Sequence, residues 1–144
     1  MSFCYFKLRC CSLIALALPA LAGCGNEAQR TPVFKTVGSI TFRNQPAVGA
    51  FVVLHPKGAT AGTPRPTAHV KADGTFEATT FETADGAPLG EYIVTVQRRK
   101  LVKQNGDWTP GPNLIPDRYA DPATSHLTIR IAEGENNLEP IVLR

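Results

Sequence analysis

The chain is expected to fold as an all-β domain, an antiparallel β-sandwich of about seven strands, and three observations lead there. Apolar residues recur with a period of two along almost all of residues 34–144, and no window carries the 3.6-residue period of an amphipathic helix. Twelve prolines and twelve glycines punctuate the chain, as they do where short strands are joined by turns. The body is about 110 residues long, one domain's worth, and long enough to bury a core without disulfides or metals. A sandwich fits better than a barrel, because two inner faces with this many apolar residues fill one interlayer.

Each strand follows from its alternation. In VGSITF, Gly38, Ile40 and Phe42 alternate with Val37, Ser39 and Thr41, and in GAFVVLH, Ala50, Val52 and Leu54 alternate with Phe51, Val53 and His55. Asn44-Gln45-Pro46 supplies the turn between them, since Asn tolerates positive φ. In AHVKADGTFEATT, Asp73-Gly74 flanked by alternating segments predicts a hairpin, with Val70, Phe76 and Ala78 on the inner face. GEYIVTVQ sets Tyr92, Val94 and Val96 inward against Ile93, Thr95 and Gln97. HLTIRI sets Leu127, Ile129 and Ile131 against His126, Thr128 and Arg130, and LEPIVLR closes the pattern with Ile141 and Leu143. Pro140 there marks an edge or a strand start.

Residues 1–23 have a different character. Lys7 and Arg9 precede an uncharged stretch from Ser12 to Ala22 that is interrupted by Pro19. It falls short of the ~20 apolar residues of a membrane-spanning helix and reads as the apolar core of a secretory signal. The run ends in Leu21-Ala22-Gly23-Cys24, which resembles the lipobox of bacterial lipoproteins. That resemblance implies signal-peptidase recognition through Leu21, Ala22 and Gly23, cleavage before Cys24, and diacylglyceryl and acyl (palmitate-type) lipid on Cys24. Residues 24–33 then form a tether and 34–144 the folded domain. Cys4, Cys10 and Cys11 leave with the signal peptide, so no free thiol remains for disulfides, Cys-based metal sites or a nucleophile. Loss of Lys7 and Arg9 leaves 13 basic against 12 acidic residues, a charge of +1. That balance excludes nucleic acid as a partner, which needs a concentrated basic face.

G-x-I-x-F at Gly38 to Phe42, P-x-x-G-A at Pro46 to Ala50, A-D-G-x-F at Ala72 to Phe76 and G-E-Y-x-V-x-V at Gly90 to Val96 resemble, in that order, the carboxypeptidase regulatory-like domain. The resemblance implies a transthyretin-like Greek-key β-sandwich. Together with the lipobox, L-I-P-x-x-Y-A-D-P-A-T-S at Leu114 to Ser125 and G-E-N-N-L at Gly134 to Leu138, it is similar to a group of small bacterial lipoproteins. Domains of this class serve as accessory, binding or structural modules more often than as enzymes.

Catalytic and metal signals are weak. His55, His69 and His126 all fall on outward registers, and His55 and His69 can face one another if their strands pair across the 56–66 loop. With no His-x-His pair and no cysteine, they read as solvated strand histidines rather than zinc ligands. Ser39 and Ser125 are the serines after residue 23, and neither sits in a Gly-x-Ser-x-Gly elbow. The transthyretin-like fold hosts hydroxyisourate hydrolases, which carry active-site histidines and a Tyr-Arg-Gly-Ser tail, whereas the last residues here are Ile-Val-Leu-Arg. No catalytic residue, metal or cofactor is therefore expected. In LIPDRYADPATS, Asp117 is expected to cap one helical turn through Tyr119, and Tyr119 to lie over the sandwich edge with its hydroxyl bonded.

RRKLVKQNGDWTPGPN, Arg98 to Asn113, carries the strongest candidate surface. Asn105-Gly106 favours a type I′ turn, so Leu101–Lys103 and Asp107–Thr109 are expected to pair as a protruding ribbon. Arg98, Arg99, Lys100 and Lys103 gather positive charge beside Trp108, the only tryptophan. The plain reading is a solvated loop with its aromatic folded onto the body. The functional reading is a contact patch for an anionic surface, either phospholipid headgroups or an acidic envelope polymer, or for a protein partner. The expected role is thus a lipid-anchored, extracytoplasmic envelope module without enzymatic activity. Gly25 after the anchor favours the outer membrane, by analogy with lipoprotein sorting. A carbohydrate-binding lipoprotein using Trp108 and the 98–113 ribbon is the alternative, and a hydrolase or metal-dependent enzyme a distant third.

Overall fold

A computed structural model of the chain describes residues 30–144. The expected signal segment, its recognition residues Leu21, Ala22 and Gly23, and Cys24 lie outside the described residues. In chain order the strands are β1 (Val33–Phe34), β2 (Thr36–Phe42), β3 (Gln45–Pro46), β4 (Phe51–Pro56), β5 (Thr67–His69), β6 (Thr75–Glu77), β7 (Ala87–Pro88) and β8 (Gly90–Gln97). After these come β9 (Arg99–Gln104), β10 (Asp107–Asn113), a 3₁₀ turn at Asp117–Tyr119, β11 (Thr128–Ile131), β12 (Asn136–Asn137) and β13 (Ile141–Leu143).

The chain forms an all-β sandwich. One sheet has the order β11-β8-β4-β5 and is antiparallel throughout. The other is built around β2, with β6 and β3 antiparallel on one side and β12 and β13 parallel on the other. These two edge segments are the exceptions to the antiparallel pairing of the sandwich. β11 runs back toward the end of the sandwich where β1 and β2 begin, and the chain changes sheet there. From that end, β12 and β13 can only run the same way as β2.

The alternation predicted from sequence orders the core. Val52, Leu54, Val94 and Val96 of the first sheet meet Ile40, Phe76 and Leu143 of the second, all of them buried. Tyr92 joins them, its hydroxyl donating to the Pro88 carbonyl at 2.7 Å. Phe51 and Ile93 are half-buried on the outer face, as their register requires. Thr95 departs from expectation and is only 2% exposed. It lies mid-sheet opposite Val53, and His55 Nε2 sits 2.9 Å from its hydroxyl and covers it.

Two turns differ from their sequence reading. Arg43 and Asn44 both take positive φ (52° and 63°) and close a two-residue hairpin loop, so Gln45 and Pro46 pair with Phe42 and Thr41 instead of turning. Asp73-Gly74 does close a hairpin, but a splayed one: the Lys71 N–H donates to the Thr75 carbonyl at 2.7 Å, and Thr67 and Thr79 exchange backbone bonds at 2.9 and 2.8 Å. β5 belongs to the first sheet and β6 to the second, and the turn is the corner between them. Asp73 Oδ1 accepts from the backbone N–H and hydroxyl of Thr75 at 2.9 and 2.7 Å, which holds that corner. Val33 already pairs with Pro88, one residue ahead of the expected boundary at 34. Arg30 reaches Glu82 at 3.6 Å and lies 5.9 Å over the Phe81 ring.

Candidate functional site

β9 and β10 form a two-stranded sheet of their own, hydrogen-bonded to neither sheet of the sandwich. The Asn-Gly turn explains why. Asn105 and Gly106 take φ of 53° and 96°, the left-handed pair that a type I′ hairpin needs. The turn sets the register, which places Trp108 opposite Lys103, Thr109 opposite Val102 and Pro110 opposite Leu101. The ribbon is longer than Leu101–Lys103 with Asp107–Thr109 and shifts register between Pro110 and Asn113.

A clasp of hydrogen bonds fixes the ribbon's root. The Asn113 Oδ1 accepts from the backbone N–H of Arg98 at 2.9 Å and of Ile115 at 3.3 Å. The Leu114 N–H donates to the Arg98 carbonyl at 2.7 Å. Ile115 beside it is fully buried in the core, so the clasp is tied to the sandwich directly. Asn113 therefore belongs to the rim of the sandwich, a role its place at the end of the basic segment did not reveal.

Side chains opposite each other in an antiparallel pair share a face, as do residues two apart along a strand. One ribbon face is thus made of Arg99, Leu101, Lys103, Trp108 and Pro110, and every one of these is exposed. Trp108 is 68% and Leu101 59% exposed, the highest values among the large hydrophobic side chains of the described residues. The other face carries Val102 and Thr109, both half-buried, with the Thr109 hydroxyl donating to the Val102 carbonyl at 3.3 Å. Trp108 is not folded onto the body, so the plain reading fails at its aromatic, while its solvated ribbon stands.

The five residues picked out by sequence do not form one patch. Arg99, Lys103 and Trp108 share the exposed face. Lys100 is exposed on the opposite face, and Arg98 is half-buried in the root. Leu101 and Pro110 join the face and were not singled out beforehand, although counting in twos from Trp108 across the Asn-Gly turn finds both. Arg99 is steadied by Gln97 Oε1 at 3.3 Å and the Gly111 carbonyl at 3.5 Å. Among the described residues, no carboxylate bridges Arg98, Arg99, Lys100 or Lys103.

The ribbon stands at the far pole from the start of the domain. β8 runs from Gly90, beside β1 and β7, to Gln97 at the ribbon root. Seven residue steps at about 3.3 Å put about 23 Å between those poles.

The remaining candidates separate. β4 and β5 do pair, but His69 lies opposite Phe51, with ring centroids 4.9 Å apart, and not opposite His55. The same register brings Arg65 toward His55. Burial first, and the Arg65 charge second, hold the His55 imidazole below its ordinary value. His126 is exposed, at φ 49° outside any strand, and no group of three or more potential metal ligands occurs among the described residues. Ser125 is buried, its hydroxyl donating to the Val94 carbonyl, which pins the 121–126 loop to β8. Asp117 does not cap the 3₁₀ turn: Pro116 occupies the cap and Asp117 is its first residue. Its carboxylate instead accepts from Asn113 Nδ2 at 3.3 Å. The Tyr119 hydroxyl accepts from the Arg144 N–H and from Arg118, both at 3.2 Å, at the sandwich edge. A separate groove of about 490 Å³, lined by Leu127–Arg130 and Asn137–Val142, follows the open side of the sandwich between the edge strands β11 and β13.

No protein-family model matches the chain, and no curated protein matches it. Among solved structures, a 9R-lipoxygenase from Cyanothece PCC8801 is similar over 78% of this chain, at 13% identity and a TM-score of 0.42. The chain spans 16% of that protein's length. A likeness this slight carries no argument about the ribbon or the sandwich.

Proposed function

We propose that this protein is a lipid-anchored, extracytoplasmic module of the cell envelope, favouring the outer membrane, with a binding or structural and non-catalytic role. The observation that carries this reading is the ribbon. A hydrogen-bonded clasp holds out one face that combines tryptophan, leucine and proline with two cations, far from the end at which the tether joins. Large hydrophobics presented together beside Arg and Lys are what contact surfaces use. The order of basic region, apolar run and Leu21-Ala22-Gly23-Cys24 supports the anchor. The transthyretin-like likeness is supported by where its motifs fall: G-x-I-x-F is β2, A-D-G-x-F the corner between sheets and G-E-Y-x-V-x-V is β8. A carbohydrate role is the second reading, favoured by the open Trp108 ring, and quenching of its fluorescence across a glycan panel tests it.

The anchor is tested by metabolic labelling. Wild-type chain should incorporate labelled palmitate and fractionate with membranes, whereas Cys24→Ala should take up no label and accumulate as precursor. Uptake of label by Cys24→Ala, with unchanged fractionation, overturns the lipoprotein reading.

A further inference from the structure

We propose that the Arg99–Leu101–Lys103–Trp108–Pro110 face of the ribbon docks on an anionic lipid bilayer. The inference rests on the reading of the ribbon as the contact element and names its partner.

The shape of the surface is the first argument. This face belongs to a protruding two-stranded ribbon, and its side chains line neither the open-side groove nor the recess at Phe42, Arg43 and Asn113–Asp117. A convex face offers a small ligand no enclosure, but it fits a soft, extended partner.

Composition is the second. A soluble polyanion needs cations alone and leaves Leu101 and Pro110 in water. A bilayer interface takes up both kinds of group together: indole at the level of the headgroups, aliphatic side chains just beneath, and Lys and Arg heads reaching back to the phosphates. Trp108 lies directly across from Lys103, and Leu101 directly across from Pro110. Apolar and cationic side chains therefore alternate within one plane. Because Arg99 and Lys103 have no acidic partner among the described residues, no internal ion pair has to break on docking.

Reach is the third. The nine residue steps from Cys24 to Val33 extend at most about 30 Å, more than the ~23 Å between the poles of the sandwich. A chain anchored at Cys24 can therefore bring the root of its ribbon to the same membrane, from which the exposed face projects.

Trp108 is the only tryptophan, so its emission reports the ribbon alone, whatever else holds the chain to a vesicle. The full-length chain, purified in detergent, is reconstituted with phosphatidylcholine vesicles and with vesicles containing phosphatidylglycerol. A blue shift of Trp108 and quenching by brominated acyl chains are expected with phosphatidylglycerol and not with phosphatidylcholine alone. Most of the shift should vanish at 1 M salt, where the Debye length falls from about 10 Å to about 3 Å. Arg99→Glu with Lys103→Glu should lose the shift while keeping the wild-type thermal midpoint. If that variant does not fold, the vesicle composition and salt series on the wild type still decide. Unshifted emission on both vesicles, or an equal shift on both, overturns the proposal. A shift produced only by an acidic polymer or a protein overturns the bilayer as partner and leaves the ribbon as a contact element. Palmitate labelling reads the anchor separately, so failure of the anchor is not mistaken for failure of the ribbon.

Discussion

The sandwich and the ribbon are both β-structure with period-two patterning, yet they use it in opposite ways. In β2, β4 and β8 the interlayer side is buried and almost wholly apolar, while the outer side is a mixed set, largely half-buried, that includes Ser39, Thr41, Phe51, Val53, His55 and Ile93. In β9 and β10 Val102 and Thr109 are half-buried on one face, beside exposed Lys100, Gln104 and Asp107, and the other face exposes Trp108, Leu101 and Pro110. A two-stranded hairpin alone is marginal in water, and this one is placed by its root clasp and by the turn that sets its register. Stability thus resides in one region and the exposed face of mixed apolar and cationic side chains in another. Substitutions on the ribbon face should alter binding without touching the fold.

The sharpest test of that division pairs two substitutions to aspartate. Val94→Asp puts an unpaired carboxylate at a fully buried site and should cost about 4 kcal/mol or more, enough to unfold the domain. Leu101→Asp should shift the urea midpoint by no more than about 0.5 kcal/mol. A folded Val94→Asp domain means the β8 register is wrong by one.

Glycine gives a second contrast. Gly86 has φ 103°, and a Cβ there would stand 1.9 Å from the Phe34 carbonyl oxygen. Gly86→Ala should push β1 off β7 at a cost of about 1–3 kcal/mol, seen in denaturation and as lost amide protection at Phe34. Gly106 has φ 96° but open space around it. Gly106→Ala should fray only the ribbon tip and leave global unfolding unchanged.

Loop chemistry predicts a smaller effect. Burial raises the Asp85 carboxyl, but the backbone N–H groups of Thr80, Glu82 and Phe81, at 2.7, 2.9 and 3.0 Å, outweigh it and hold the group below its ordinary range. Asp85→Ala leaves those donors without their acceptor and should cost about 1–2 kcal/mol, at the low end for unmade bonds because water reaches the loop.

The acid sensitivity of the sandwich should include a contribution from His55. Its folded-state pKa is lowered from 6.5, so the unfolded chain binds its proton more tightly. The resulting stabilisation is complete above pH 6.5 and is lost as pH falls through the folded value. Thermal midpoints between pH 7 and 5 should fall less steeply in His55→Asn than in wild type. An unchanged slope removes this role.

A small effect should come even from the largest excision. Replacing residues 100–111 by a short turn, with Arg98 and Asn113 kept, preserves the clasp and should change stability by less than about 1 kcal/mol, since loop length contributes only ~0.6 kcal/mol per doubling. Unfolding on excision makes the ribbon part of the core and erases the contrast between the regions.

What could be read in the sequence alone was whatever depends on neighbours along the chain. Alternation settled strand identity and which side of β2, β4 and β8 is apolar, and Asn105-Gly106 settled a hairpin, because a left-handed pair of residues closes antiparallel strands wherever it stands. Decisions between distant segments needed the tertiary structure. Asp73-Gly74 closes its hairpin at Lys71–Thr75 and Thr67–Thr79, yet the arms splay into two sheets because β5 pairs with β4 and β6 with β2. β12 and β13 run parallel to β2 because the chain changes sheet at one particular end. Thr95 is buried on an outward register because His55, forty residues earlier, covers it. Asn113 looks like the tail of a loop and is the rim of the fold, since its amide serves Arg98, fifteen residues back. The exposed face of the ribbon lies between these cases. Its membership follows from the turn, but its exposure was decided by a sandwich that completes its core without Trp108.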